Sequence, residues 1–290
     1  MNDNGITHSP AWIGAFAAEA LTSAKEGKVA GVTSSGVFLL AGRNALFITK
    51  RSEKSPFNIC LNEETNLSVE FSNGDRFICS SSDVNFIQTG LVINLRDVVQ
   101  WTPPAPVVIK NSINEQAKKI WLFLDELKHE IPAEKGLFYL VGAKDTDEIS
   151  HYVSRLQSAF SHEDLASCLD AVNGLVGYGG GLTPSGDDLL AGFLLYHVRS
   201  DMASSRERMF VRSLGESLTE LAYQKTTWIS ANRIEAACRG WSESVFLELL
   251  DHLFDNSVEL LHQLTIRLLG FGHSSGVDTL IGIAAAVGAI

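Results

Sequence analysis

Two short segments carry the residue types that could do chemistry. Ser185-Gly186-Asp187-Asp188-Leu189-Leu190-Ala191-Gly192 and Ser275-Gly276-Val277-Asp278-Thr279-Leu280-Ile281-Gly282 agree at five of eight positions, at an offset of 90 residues. Each follows a glycine-rich approach: Gly177-Tyr178-Gly179-Gly180-Gly181 before the first, Gly270-Phe271-Gly272 before the second. Serine followed three residues later by aspartate is the pattern of a capping box, so each copy predicts a helix start. In the first copy Thr183-Pro184 also suits an N-cap followed by the first helical residue, because proline lacks an N–H that would go unused there. Either Thr183 or Ser185 is then the cap. Backbone N–H groups at a helix start, beside loops free of side chains, form an anion site suited to phosphate. Its expected lining is Gly180, Gly181, Thr183, Ser185, Gly186, Ser274, Ser275 and Gly276.

The aspartates conflict with a bare anion in the same loops. Two readings of Asp187, Asp188 and Asp278 resolve that. They cap backbone N–H groups, or they hold Mg²⁺, which takes a few carboxylates and fills its shell with substrate oxygens and water. Asp188 and Asp278, the pair common to both copies, are the candidate metal ligands. His273 stands in the second loop, and an imidazole there is a candidate proton shuttle. Asp187, Asp188 and His273 make up the candidate catalytic set. A third segment, Lys225-Thr226-Thr227-Trp228-Ile229-Ser230, opens another helix. Thr227 and Ser230 share a face there, so their hydroxyls point at a ligand or bond back to helix carbonyls. Arg233 and Arg239 are the nearby guanidiniums, available for a carboxylate ligand or for ordinary surface pairing.

Both segments must be brought together to make one site. Gly192 and Gly282 lie one turn beyond the aspartates. A glycine inside a helix costs ~1 kcal/mol relative to alanine, and a close crossing of the two helices near their N-termini would offset it.

The surrounding chain has two textures. From Val29 to Trp101, β-branched and aromatic runs alternate with turns: residues 36–40, 45–49, 67–71 and 91–95 read as strands. Ser72-Asn73-Gly74-Asp75 is a hairpin signal. A helix at Trp12 to Lys25 precedes six to eight short strands, in a barrel or sandwich. Thr102-Pro103-Pro104-Ala105-Pro106 marks a boundary, since clustered prolines cannot pair in a central strand. Beyond it the period becomes 3.6: Ile120, Leu124 and Leu127 share a face, as do Leu214, Leu218 and Leu221, and Leu260, Leu264 and Leu268. Seven or eight helices follow. Residues 136–142 read as either a strand or a buried helix turn. The expected fold is α+β: a β-rich domain over 1–106 and a mostly helical domain over 107–290.

The 290-residue chain has a net charge of −11, nearly all of it after residue 110. That acidity disfavours phosphate-backbone binding. Forty-five per cent hydrophobic residues exclude wholesale disorder. The four cysteines form no CxxC pair and read as buried thiols in a reducing compartment. Residues 1–10 lack the pattern of a secretory signal, and no apolar run spans a bilayer, so a cytoplasmic protein is expected. GxxxxGK[ST] and HExxH motifs are absent.

Residues 179–188, Gly-Gly-Gly-Leu-Thr-Pro-Ser-Gly-Asp-Asp, resemble the signature of the AllH family. Residues 272–280 resemble its second signature, residues 226–230 a weaker third, and Ser55-Pro56-Phe57-Asn58-Ile59 a short motif of its N-terminal half. One departure is Gly180, where the family often carries proline. The resemblance implies a subunit of oxamate carbamoyltransferase, a three-component enzyme of allantoin breakdown. It interconverts oxalurate plus phosphate with oxamate plus carbamoyl phosphate. AllF-like and AllG-like subunits would be the partner chains, and Mg²⁺ is implied. A non-catalytic module that binds a phosphorylated metabolite is the alternative.

Overall fold

The structure, a computed structural model, describes residues 6–62, 66–132, 135–142, 147–200, 204–255 and 261–290. Residues 1–5 of the polar N-terminal stretch and Leu260 of the apolar stripe lie outside them. The chain divides into two compact units, Met1–Pro104 and Ala105–Ile290.

The first unit is one curled half-barrel sheet. Its strands are β1 (Thr7–His8), β2 (Trp12–Gly14), β3 (Glu26–Thr33), β4 (Gly36–Ala41), β5 (Asn44–Thr49), β6 (Asn58–Cys60), β7 (Arg76–Cys79), β8 (Asp83–Phe86), β9 (Val92–Asn94) and β10 (Gln100–Trp101). Across the sheet they run β1-β9-β8-β7-β3-β4-β5-β6-β2-β10. The pairs β1–β9, β5–β6 and β2–β10 are parallel, and the rest antiparallel. Val29, Val37, Leu39, Ile48, Phe77, Val84 and Ile93 are fully buried, the alternation expected of strands with one covered face.

Four expectations for this unit need correction, the first being the strand number, which is ten among the described residues against the six to eight expected. Trp12–Gly14 is a strand, and the helix begins only at α1 (Ala15–Ser23). Gly14 makes the switch possible, because a Cβ there would lie 2.3 Å from the Ser55 and Pro56 carbonyl oxygens. Residues 67–71 are not a strand: Leu67–Glu70 form the single-turn helix α2. Five alternating residues fit either element, and here the Asn66 N–H reaches the Glu70 carboxylate at 3.2 Å. Consequently the Ser72–Asp75 turn joins a helix to β7 and is not a hairpin, with Gly74 at φ +90°. All four cysteines are free thiols.

The second unit is helical: α3 (Ile113–Glu130), a 3-10 turn (Phe138–Leu140), α4 (Glu148–Ser161), α5 (Leu165–Leu175), α6 (Ser185–Arg199), α7 (Ser205–Lys225), α8 (Trp228–Cys238), α9 (Ser244–Phe254), α10 (Leu261–Leu269) and α11 (Ser275–Val287). Among the described residues there are thus nine α-helices, more than expected, and the ambiguous 136–142 run is the 3-10 turn. Helix α3 is amphipathic and buries Ile120, Leu124 and Leu127 completely. Helices α6 and α11 differ: both are apolar nearly all round beyond their first turn, and both are buried along almost their whole length. They pack on each other more extensively than any other helix pair.

Glycine sets their spacing. A Cβ on Gly192 would stand 2.1 Å from the Thr279 carbonyl oxygen, and one on Gly282 would stand 1.9 Å from that of Leu189. Each glycine therefore touches the other helix's backbone, and the contacts are reciprocal across the repeat. Gly192→Ala and Gly282→Ala should each lower unfolding free energy by about 1–3 kcal/mol through overpacking, despite alanine's better helix propensity. A Cβ on Gly180 meets nothing within 4 Å, so Gly180→Ala should change stability by less than about 0.5 kcal/mol. Urea unfolding of the three variants checks this. Stability unchanged in both helix variants would refute the close crossing.

Candidate functional site

The site is built in layers up the crossing of α6 and α11. Gly192 and Gly282 form the floor. One turn toward the N-termini, on the same helix faces, stand Asp188 and Asp278. One turn further come Ser185 and Ser275, and above them the two glycine loops.

The loops fold back in the same way. Tyr178 donates its N–H to the Leu175 carbonyl (3.0 Å) and accepts from the Gly186 N–H (2.9 Å). Phe271 does the same with Leu268 (3.1 Å) and Gly276 (3.0 Å). Gly186 and Gly276 must lack a side chain, since a Cβ would lie 2.1 Å from the Leu175 oxygen and 1.9 Å from the Leu268 oxygen. The first loop is three residues longer. It carries Gly179 at φ +103° and Gly181 at φ +91°. Thr183 Oγ1 and Ser275 Oγ tie the loops together at 2.8 Å.

The capping boxes expected at Ser185 and Ser275 are not formed. Pro184 and Ser274 occupy the N-cap positions, and neither helix has a side-chain cap. By contrast, α3, α4 and α7 carry complete capping boxes at Ser112, Asp147 and Ser204. The serines of the repeat instead face the opposite copy: Ser275 lies against Asp188, and Ser185 against Asp278. Among the described residues, no backbone N–H from Gly179 to Thr183 or from Gly272 to Ser275 donates a hydrogen bond to the protein. Both helix starts thus leave donors open, the condition for anion binding.

The three aspartates have separate fates. Asp187 accepts the Gly177 N–H at 2.8 Å and the Thr226 hydroxyl, so it pins the first loop. Asp188 is fully buried and pairs with Arg233 through Oδ1. Asp278 accepts the Leu137 N–H at 2.6 Å through Oδ1. The outer oxygens, Asp188 Oδ2 and Asp278 Oδ2, are buried without a hydrogen-bond partner. Burial raises all three carboxyls. It drives Asp188 to about 7 against the pull of Arg233, and the charge of Asp278 pushes it further up.

Arg233 proves central, not a surface cation. It is 8% exposed, pairs with Asp188 and with Glu243 (3.5 Å), and lies over the Phe246 and Phe271 rings at 5.7 and 5.2 Å. The Asp188 and Glu243 carboxylates hold it firmly protonated despite burial. Arg239 pairs with Glu235 at 2.9 Å and lies over the Trp241 ring at 5.4 Å. Thr227 caps α8 through the Ser230 N–H (3.1 Å) and donates to the Leu182 carbonyl (2.6 Å). It therefore braces the first loop. Ser230 is 1% exposed below it. His273 is exposed at the rim of the second loop, and Ser274 is half-buried beside it.

Sequence reasoning missed the 3-10 segment as part of the site. A Cβ on Gly136 would lie 2.1 Å from Asp278 Oδ1, the Leu137 N–H holds that carboxyl, and the Tyr139 hydroxyl lies against Tyr178 in the first loop. The paired glycines at 136 and 142, around an apolar run, were the available signal.

The donor set does not fit the expected Mg²⁺. Among the described residues, no group of three or more His, Cys, Asp or Glu is placed to hold a metal. Asp187 is spent on the loop. A dication on Asp188 would sit beside the buried Arg233 guanidinium in low dielectric, where like charges repel strongly.

Residues 175–287 match the family of oxamate carbamoyltransferase subunit AllH. The AllH match runs from the end of α5 to the end of α11, so both loops, all three aspartates, Arg233 and the crossing lie inside it. The sheet unit lies outside it. No curated protein and no solved structure matches the chain significantly. No helix among the described residues is long and apolar enough to cross a membrane.

The Asp188 environment has a measurable consequence. A carboxyl raised from its unfolded value near 4 to about 7 makes the native state bind more protons than the unfolded chain. Stability must then fall as pH rises through about 4 to 7. Asp188→Asn does not titrate, so this part of the slope, at most about 4 kcal/mol, should vanish. Urea unfolding at several pH values tests it, and an unchanged slope in the variant would assign the effect elsewhere.

Proposed function

We propose that this chain is the AllH-type component of a multi-chain carbamoyltransferase. The reaction is oxalurate plus phosphate to oxamate plus carbamoyl phosphate, with AllF-like and AllG-like chains as partners. One observation carries the assignment: both glycine loops of the AllH-matched segment converge on one point, with their N–H groups unspent.

Phosphate suits those donors. Run after run of backbone N–H at two helix starts favours a compact oxyanion over any cation. The longer first loop, with Gly179, Gly180 and Gly181, wraps the phosphate, and the shorter second loop, Gly272 to Ser275, closes the other side. Thr183 and Ser275 add hydroxyl donors. Asp187, Thr226 and Thr227 hold the first loop in its open-donor form and do not touch substrate. Phosphate, once seated, is the nucleophile that takes the carbamoyl carbon from oxalurate, with oxamate as leaving group. Preorganised donors would stabilise the charge that develops on the transferring group.

The partner chains are needed for turnover, because the matched family is one subunit of the carbamoyltransferase. Reconstitution tests this. Carbamoyl phosphate formation from oxalurate and phosphate should require this chain together with both partners. Gly181→Ala, which places a side chain at φ +91° in an otherwise open loop, should raise the KM for phosphate about tenfold while leaving the chain folded. Full activity of the two partners without this chain would overturn the assignment.

A further inference from the structure

Resting on that assignment, we infer that Asp188 and Asp278 are the specificity residues of the site, accepting the two N–H bonds of the substrate's carbamoyl –NH₂. Two carboxylate oxygens, Asp188 Oδ2 and Asp278 Oδ2, are buried with no hydrogen-bond partner. Asp188 is 1% exposed and Asp278 is 0% exposed. An orphaned buried acceptor is costly and calls for a donor.

The donor is constrained by its neighbours. The carboxyls sit three residues below the first helical residues Ser185 and Ser275, about 4.5 Å along each axis. A ligand whose anionic end is held by the loops therefore reaches them across a very short spacer. Ser275 lies against Asp188 and Ser185 against Asp278, and the charge of Asp278 bears on Asp188. Arg233 already supplies the cation. What remains is a neutral group with two donor hydrogens and no acceptor where it meets the oxygens. A primary amide nitrogen satisfies this, one N–H for each aspartate. A methyl group of the same size leaves both oxygens unsatisfied. The site thus selects carbamoyl over acetyl compounds by the hydrogen bonds it would otherwise lose.

The test uses two stable anions of matched shape, phosphonoacetamide and its methyl-ketone counterpart acetonylphosphonate, with inorganic phosphate as reference. Binding is measured calorimetrically on the full chain, alone and with its partner chains. The amide should bind ~10–100-fold tighter than the ketone. Asp278→Asn keeps an acceptor for the Leu137 N–H and turns the free atom into a donor. It should abolish the preference while phosphate affinity stays within about twofold, and Asp188→Asn should act in the same sense. Phosphate binding with no amide preference in either preparation overturns this inference and leaves the phosphate site standing. Absence of phosphate binding in both overturns the two together. Stabilisation by Mg²⁺ alone that Asp278→Asn removes would make the oxygens metal ligands and also overturn it.

Discussion

The contact between Gly192 and the Thr279 carbonyl, with its counterpart between Gly282 and the Leu189 carbonyl, sets every other distance in the site. Two helices without side chains at the crossing approach until backbone meets backbone. Only at that separation does the charge of Asp278 bear on Asp188, and only then does each serine lie beside the other copy's carboxyl. Larger residues at 192 and 282 would leave two ordinary helix starts facing solvent.

Around this crossing the protein keeps apart two uses of polarity. One set of interactions is structural and saturated. Asp187 fixes the Gly177 N–H, Thr227 fixes the Leu182 carbonyl, and Arg233 is enclosed by Asp188, Glu243 and two phenyl rings. The other set is unsaturated: the loop N–H groups above and two carboxylate oxygens below. Buried polar groups are normally satisfied, and Asp188 Oδ2 and Asp278 Oδ2 are two exceptions, one turn above the glycine contacts. The buried Arg233 pair adds little net stability of its own, since desolvation offsets much of the attraction. Its contribution is to hold Asp188 in one orientation.

Much of this was legible in the sequence, for local reasons. The repeat, the two glycines and the need for a crossing follow from residue identity and from the known cost of glycine in a helix. The switch from strands to helices follows from period. The failures have equally local causes. Ser-x-x-Asp reads as a capping box when a helix is considered alone, but a neighbouring helix offers Ser185 and Ser275 a different partner. Thr227 looked like a ligand contact because its hydroxyl's acceptor, the Leu182 carbonyl, is 45 residues away. Arg233 looked like a surface cation because burial is not encoded one residue at a time. Residues 67–71 were too few for their alternation to decide between strand and helix.

The reciprocal contacts amount to a pseudo-dyad within one polypeptide, of the kind an isologous homodimer interface has. A twofold frame gives equivalent residues equivalent surroundings, and a symmetric cradle cannot by itself tell one end of a small ligand from the other. The chain breaks the degeneracy from outside the repeated elements. A guanidinium from α8 is assigned to Asp188, a main-chain N–H from the 3-10 segment to Asp278, and three extra residues to one loop. Direction in this site is therefore a property of the single-copy parts of the fold, and the duplicated helices supply only the frame on which it is imposed.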